Sequence, residues 1–265
     1  MLFKLTVILL LLLLTLSAAK EVPSEFRKFY DTVRKGGSCT GRDLLQGGFF
    51  DHDGPTLPLW GYCQRYMNDQ GFYIKGPGND LANMDVDCDG QNVQGDGRCA
   101  NSPDVKFETA FKDDVQAFGI PDLNSYIHPY VVLGNIGRYY PTFDPQSVGV
   151  QPLSVVAVIC GDKLIYGIWG DMNGDDGLPL VGEVSLALAT ECFGGSMDGN
   201  NGYDGEDVLY ISFKGDGAVP GEAANWKAAT YGDFERSIED LGDELMSGLV
   251  SAFSEFRMEE SHMGL

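Results

Sequence analysis

The chain has 265 residues, with 18 Lys plus Arg against 39 Asp plus Glu, a formal charge of −21 at pH 7. A field of that sign repels nucleic acid and anionic membrane surfaces and attracts cations, so neither of the first two is an expected partner. Apolar residues make up 43 % of the chain, enough for a sizeable core.

Residues 1–19 read as a secretory signal: Lys4, an unbroken run from Leu9 to Leu14, then Ser17-Ala18-Ala19 before Lys20. The apolar run is shorter than the roughly 20 residues of a spanning helix, and no second one follows. Residues 20–265 are expected as one exported domain, monomeric, with a formal charge of −22 once Lys4 is gone. Six cysteines in an oxidising compartment predict disulfides. Six allow about 15 pairings, and spacing suggests Cys88–Cys99 and Cys160–Cys192. None lies in a C-x-x-C pair, which argues against zinc.

Residues 22–35 are predicted as a helix, capped by Ser24, with Phe26, Phe29, Tyr30 and Val33 on one face. Residues 40–105 read as an irregular Gly/Asp/Asn-rich stretch with one strand at 71–74. Residues 107–118 suggest a second amphipathic helix, stopped by Gly119 and Pro121. Strands are expected at 130–133, 153–160, 163–169, 183–189 and 207–213, with Gly161-Asp162 closing a hairpin. From about 233 to 257 an amphipathic helix carries Phe234, Ile238, Leu241, Leu245, Leu249 and Phe253 on one stripe. The sum is an α+β, β-dominated domain, a small barrel or sandwich with three peripheral helices.

Two acids stand out. Asp171 closes an apolar run at Trp169-Gly170, and Glu183 opens the next, twelve positions later. A hairpin-like return would set them on opposite lips of one cleft. Facing carboxyls can divide labour, one protonating a leaving oxygen and the other acting on the far side of a sugar. Glu183, near apolar Val181 and Val184, is the expected acid; Asp171, in a polar loop, the ionised base. In an acidic chain such a pair is most often just solvated turn residues.

The run Asp85-Val86-Asp87-Cys88-Asp89-Gly90, with Asp96 in twelfth place, nearly matches a calcium loop. It lacks the closing Glu and flanking helices. The alternation Asp85/Asp87/Asp89 also fits one face of an extended segment, a row of acids that could hold sugar amines. Asp171–Gly177 is a weaker calcium match. The aromatics Trp60, Tyr62, Tyr66, Trp169 and Tyr203 could line a sugar cleft or simply fill the core. His52, His128 and His262 form no triad with Ser or Cys.

Seven blocks in order carry a family resemblance: NMDVDCDG (83–90), TAFKDDV (109–115), IHPYVVLGN (127–135), FDPQSVGVQPLSVVAVIC (143–160), YGIWGDMNG (166–174), GEVSLALA (182–189) and DVLYISF (207–213). The chain resembles the fungal chitosanases of glycoside hydrolase family 75. That resemblance implies a secreted endo-hydrolase cutting the β-1,4 bonds of chitosan with inversion, without metal or organic cofactor. It implies a small six-stranded β-barrel of double-psi type with helices outside. It puts the catalytic base at Asp171 in the WGD-x-NG motif and the catalytic acid at Glu183 in the GE motif. Asp85, Asp87, Trp169 and Asn173 are the accompanying candidates for substrate contacts. The competing expectation is a non-catalytic, calcium-stabilised carbohydrate-binding protein.

Overall fold

The structure is a computed structural model that describes residues 19–52, 56–91, 95–102, 105–137, 140–174 and 177–263, with side chains to 255. Most of the expected signal, residues 1–18, lies outside the described residues. The strands are β1 (Lys20–Glu21), β2 (Leu44–Phe49), β3 (Trp60–Cys63), β4 (Gly71–Lys75), β5 (Ala82–Asp87), β6 (Tyr130–Asn135), β7 (Val155–Cys160), β8 (Lys163–Asn173), β9 (Glu183–Ser185) and β10 (Tyr203–Phe213). The α-helices are α1 (Ser24–Lys35), α2 (Lys112–Gln116), α3 (Leu186–Phe193) and α4 (Tyr231–Met263). The protein is thus a strand-dominated α+β structure built on one large sheet.

Six strands close a ring of pairings. β8 is parallel to β6, β6 meets β9, and β9 is parallel to β5. β5 is antiparallel to β10, β10 to β7, and β7 back to β8. The 11-residue β10 makes closure feasible, since its first half pairs with β5 and its second half with both β7 and β4. β4, β3 and β2 continue outward from it as an antiparallel meander. Pairing on both sides leaves β6, β7 and β8 almost wholly buried, which is why they read as continuous apolar runs rather than alternating ones.

Several expectations need correction. The stretch 40–105 contains four strands rather than one; LLQGGF and WGYC have too many glycines and too little alternation to register as strands. The expected helix 107–118 shrinks to Lys112–Gln116, because the N–H groups of Thr109 and Ala110 turn to the carboxylates of Asp122 and Asp171. The expected strand 183–189 stops at Ser185, whose hydroxyl accepts from Leu188 N–H and starts α3. Leu186, Ala187, Leu188 and Ala189 are all buried, so no periodicity marks the change. Pro23, not Ser24, precedes α1, and the Ser24 hydroxyl bonds Glu25.

The two expected disulfides are present, and Cys39–Cys63 is the third. Cys160–Cys192 ties α3 to the end of β7. α4 buries Phe234, Ile238, Leu249 and Phe253, together with Met246. Its Glu235 carboxylate accepts from Tyr166 N–H at 3.4 Å; burial raises its pKa to about 7. The two helix glycines differ. A methyl at Gly242 would sit 2.4 Å from the Tyr166 ring, whereas at Gly248 the nearest atom is 3.7 Å away. Gly248→Ala should therefore stabilise by up to about 1 kcal/mol through helix propensity. Gly242→Ala should destabilise by about 1–3 kcal/mol, because α4 must lift off β8. Urea titration of both variants checks the opposite signs.

Candidate active site

Asp171 does not sit in the polar loop where its sequence context suggested. It lies within β8, opposite Val132 of β6, and is 4 % exposed. Its Oδ1 accepts two backbone N–H groups, from Ala110 at 2.8 Å and Met172 at 2.7 Å. Its Oδ2 is buried and has no hydrogen-bond donor among the described residues. Burial, then the charges of Asp87 and Asp89, push its pKa well above the ordinary carboxylate value, against the pull of those two amides. The expected ionised aspartate of an open loop is thus a buried one with enhanced proton affinity.

Glu183 is half-buried and opens β9. The hairpin-like return expected between the two acids is not the geometry found. β6 is inserted between β8 and β9: Val132 pairs with Asp171, and its neighbour Val131 pairs with Val184. Because β6 and β9 are antiparallel, Glu183 lies opposite Val132 as well, so Asp171 and Glu183 flank one strand at the same level. Gly182, at φ 95°, precedes Glu183; a side chain there would also drive into Asn83 Oδ1, 2.2 Å from the Cβ position. Of the loop between the acids, residues 175–176 lie outside the described residues. Its return is tied to Phe50, which exchanges backbone bonds with Pro179 and Val181.

Asp85, half-buried, faces Glu183 directly across the parallel β5–β9 pair, and Asn83 Nδ2 donates to it at 2.9 Å. Asp87 points into a different environment. It is 6 % exposed, its Oδ1 accepts from Asp89 N–H at 2.6 Å, and burial raises its pKa to about 6. It is thus held inside the acid cluster rather than standing on an open face of the strand. Asp89, also buried, accepts from Lys106 N–H at 2.5 Å, with the Lys106 ammonium 4.0 Å away. Carboxylate oxygens of Asp87, Asp89 and Asp171 all lie within 4.8 Å of one another, close enough for one proton or one cation to relieve their repulsion. The Tyr130 hydroxyl donates to Asp89 O, and its pKa is raised well above normal by burial and by the carboxylates of Asp87, Asp171, Asp89 and Glu183.

Trp169 is fully buried and offers no face to a sugar, which corrects its assignment as a substrate contact. Its indole N–H instead donates to Leu133 O at 3.0 Å and Asp171 O at 2.9 Å, and its ring meets Phe111 edge to face. Asn173 bonds Leu180 O through its side-chain amide and closes the base of the loop. Asp96, the expected twelfth ligand of a calcium loop, is paired with Arg98 at 2.8 Å; residues 92–94 of that stretch lie outside the described residues. Trp60 and Tyr62 are core residues. His128 is buried between Asn124 N–H and Trp226 O, and burial lowers its pKa to about 4. Asp89 belongs to the row of acids expected from the sequence, whereas Tyr130 has no such signal: it lies inside a block quoted for the resemblance, but nothing local distinguishes it from a strand residue.

The family model for fungal chitosanases of glycosyl hydrolase group 75 matches residues 84–248, a span that includes every acid of this cluster. The chain belongs to that family. It is 43 % identical to Endo-chitosanase B of Aspergillus oryzae over 93 % of this chain and 99 % of that protein. It is 44 % identical to Endo-chitosanase of Aspergillus fumigatus over the same shares. Similarity to Endo-chitosanase C of A. oryzae, at 36 %, covers 64 % of this chain and 40 % of that longer protein.

Trp169→Phe tests the indole clasp. Phenylalanine keeps one aromatic ring but drops the N–H-bearing part of the indole, so a small cavity opens and Leu133 O and Asp171 O lose their shared donor. A cost of about 2 kcal/mol is expected, or a melting point lower by roughly 4–8 °C in calorimetry.

Proposed function

We propose that the protein is a secreted endo-chitosanase that hydrolyses the β-1,4 linkages of chitosan with inversion, with residues 20–265 as one catalytic domain after a signal at 1–19. We infer that the six-strand ring is a small barrel of double-psi type carrying the catalytic acids on neighbouring strands. Membership of the family, and relatives bearing that name over nearly their full length, support the activity.

In this reading Glu183 protonates the glycosidic oxygen, and Asp171 takes a proton from the water that attacks the anomeric carbon. The observation that carries the reading is the insertion of β6 between the two acids. Two strand spacings separate their backbones by roughly 9–10 Å. Carboxyls on such a frame can reach the 6.5–9.5 Å or so that leaves room for a water, as inversion requires. A base of raised proton affinity also removes a proton from water more effectively than an ordinary aspartate. Asp85, half-exposed beside Glu183, is the acid best placed to receive a glucosamine ammonium. The overall charge of −21 steers a polycation toward the enzyme.

Glu183→Gln and Asp171→Asn should each lower kcat on chitosan by about 10²–10⁴-fold. Proton NMR of fresh digests should show α-anomers first. Near-wild-type turnover in either variant, or β-anomers first, would sink the assignment. Because the base works ionised and burial raises its pKa, activity should fall on acidification before an ordinary aspartate, near 3.9, would protonate. A pH profile of kcat/KM reads that limb.

A further inference from the structure

We propose that Asp87 is a positioning residue for Asp171: the two buried carboxyls hold one proton between them, and Asp87 donates it to Asp171 Oδ2. The proposal deepens the reading of Asp171 as the base and rests on it.

Hydrogen-bond accounting motivates it. Oδ1 of Asp171 is served by Ala110 and Met172, while Oδ2 is buried without a donor. Buried polar atoms in folded proteins are nearly always paired, so a donor is missing from the description. The side chain that can provide it is a second carboxyl, since the oxygens of Asp87 lie within the 4.8 Å cluster. Asp87 also has the complementary shape. Its carboxyl accepts from Asp89 N–H at Oδ1 and meets the Tyr130 and Asp171 side chains, and the Tyr130 hydroxyl already gives its hydrogen to Asp89 O, so a hydrogen on Asp87 can serve Asp171. Asp171 has two backbone donors, and Asp87 has one with the Tyr130 side chain also against it; we place the charge on Asp171 and the proton on Asp87 on the strength of those two amides, although burial and the charges of Asp87 and Asp89 raise Asp171 the more.

The surroundings favour one proton over none. Asp89 adds a third acid from the end of β5, and Glu183 on β9 and Tyr130 on β6 face the same cluster. The nearby cation is Lys106, which sits on Asp89. Two ionised carboxylates this close and this buried repel strongly, and a shared proton is the usual relief. Burial raises the proton affinity of both groups, in accord with that geometry. The proton thereby fixes the orientation of Asp171 and keeps its negative charge in place for the water.

Asparagine at 87 mimics the protonated acid: its Oδ1 can accept from Asp89 N–H while its Nδ2 donates to Asp171. Alanine removes the donor. Asp87→Ala should lose at least about tenfold in kcat on chitosan with KM little changed, and Asp87→Asn should recover most of that loss. Infrared spectra of protein carrying ¹³C at the aspartate carboxyls should show a protonated-acid carbonyl band at pH 7. The label keeps Glu235 out of the signal. The band should vanish in Asp87→Asn. Absence of the band in the wild type would overturn the proposal, as would an Asn variant no better than Ala. So would a stoichiometric divalent cation, found by elemental analysis and removed by chelator together with the activity. If Asp171→Asn retained turnover while the band persisted in the wild type, the base assignment would fail and the shared proton would stand.

Discussion

A carboxylate taken out of water must be given donors, and much of this architecture serves that one requirement at Asp171. The segment before α2 gives up a helical turn so that Ala110 N–H can reach it. Asp122 holds the same segment through Thr109, accepting from both its N–H and its hydroxyl. Trp169, two residues upstream, clamps the Asp171 carbonyl and the neighbouring strand with one indole N–H. These contacts come from parts of the chain some 60 residues apart in sequence, so the position of Asp171 is set by the closed ring rather than by its own loop.

The same ring explains how two acids twelve residues apart become neighbours without a hairpin. β8 runs parallel to β6, and the chain then returns by way of Phe50 to enter β9 on the other side of β6. The pairing of the two acids is therefore a property of strand order, and a change in β6 alters their spacing.

Some of this was readable from residues alone. The Gly161-Asp162 turn, the faces of α1 and α4, and the Cys88–Cys99 and Cys160–Cys192 disulfides follow from local pattern and spacing. The parts that were not readable share a physical cause. Leu186 to Ala189 are buried on every side, so strand and helix leave the same apolar trace, and only the Ser185 cap decides. Trp169 and Asp87 look like cleft residues by type, yet their burial depends on which strands pair, and strand order is not written in any one segment. The short strands β2 and β3 depend on neighbours for their edges and carry no alternation of their own.

Glu235 gives α4 an unusual fastening. It is a neutral acid accepting from Tyr166 N–H, with burial raising its pKa from 4.5 to about 7. The folded chain thus binds a proton that the unfolded chain releases between those two values, so stability declines as the medium becomes more alkaline across that interval. The C-terminal clasp grips hardest in sour surroundings and slackens toward neutrality.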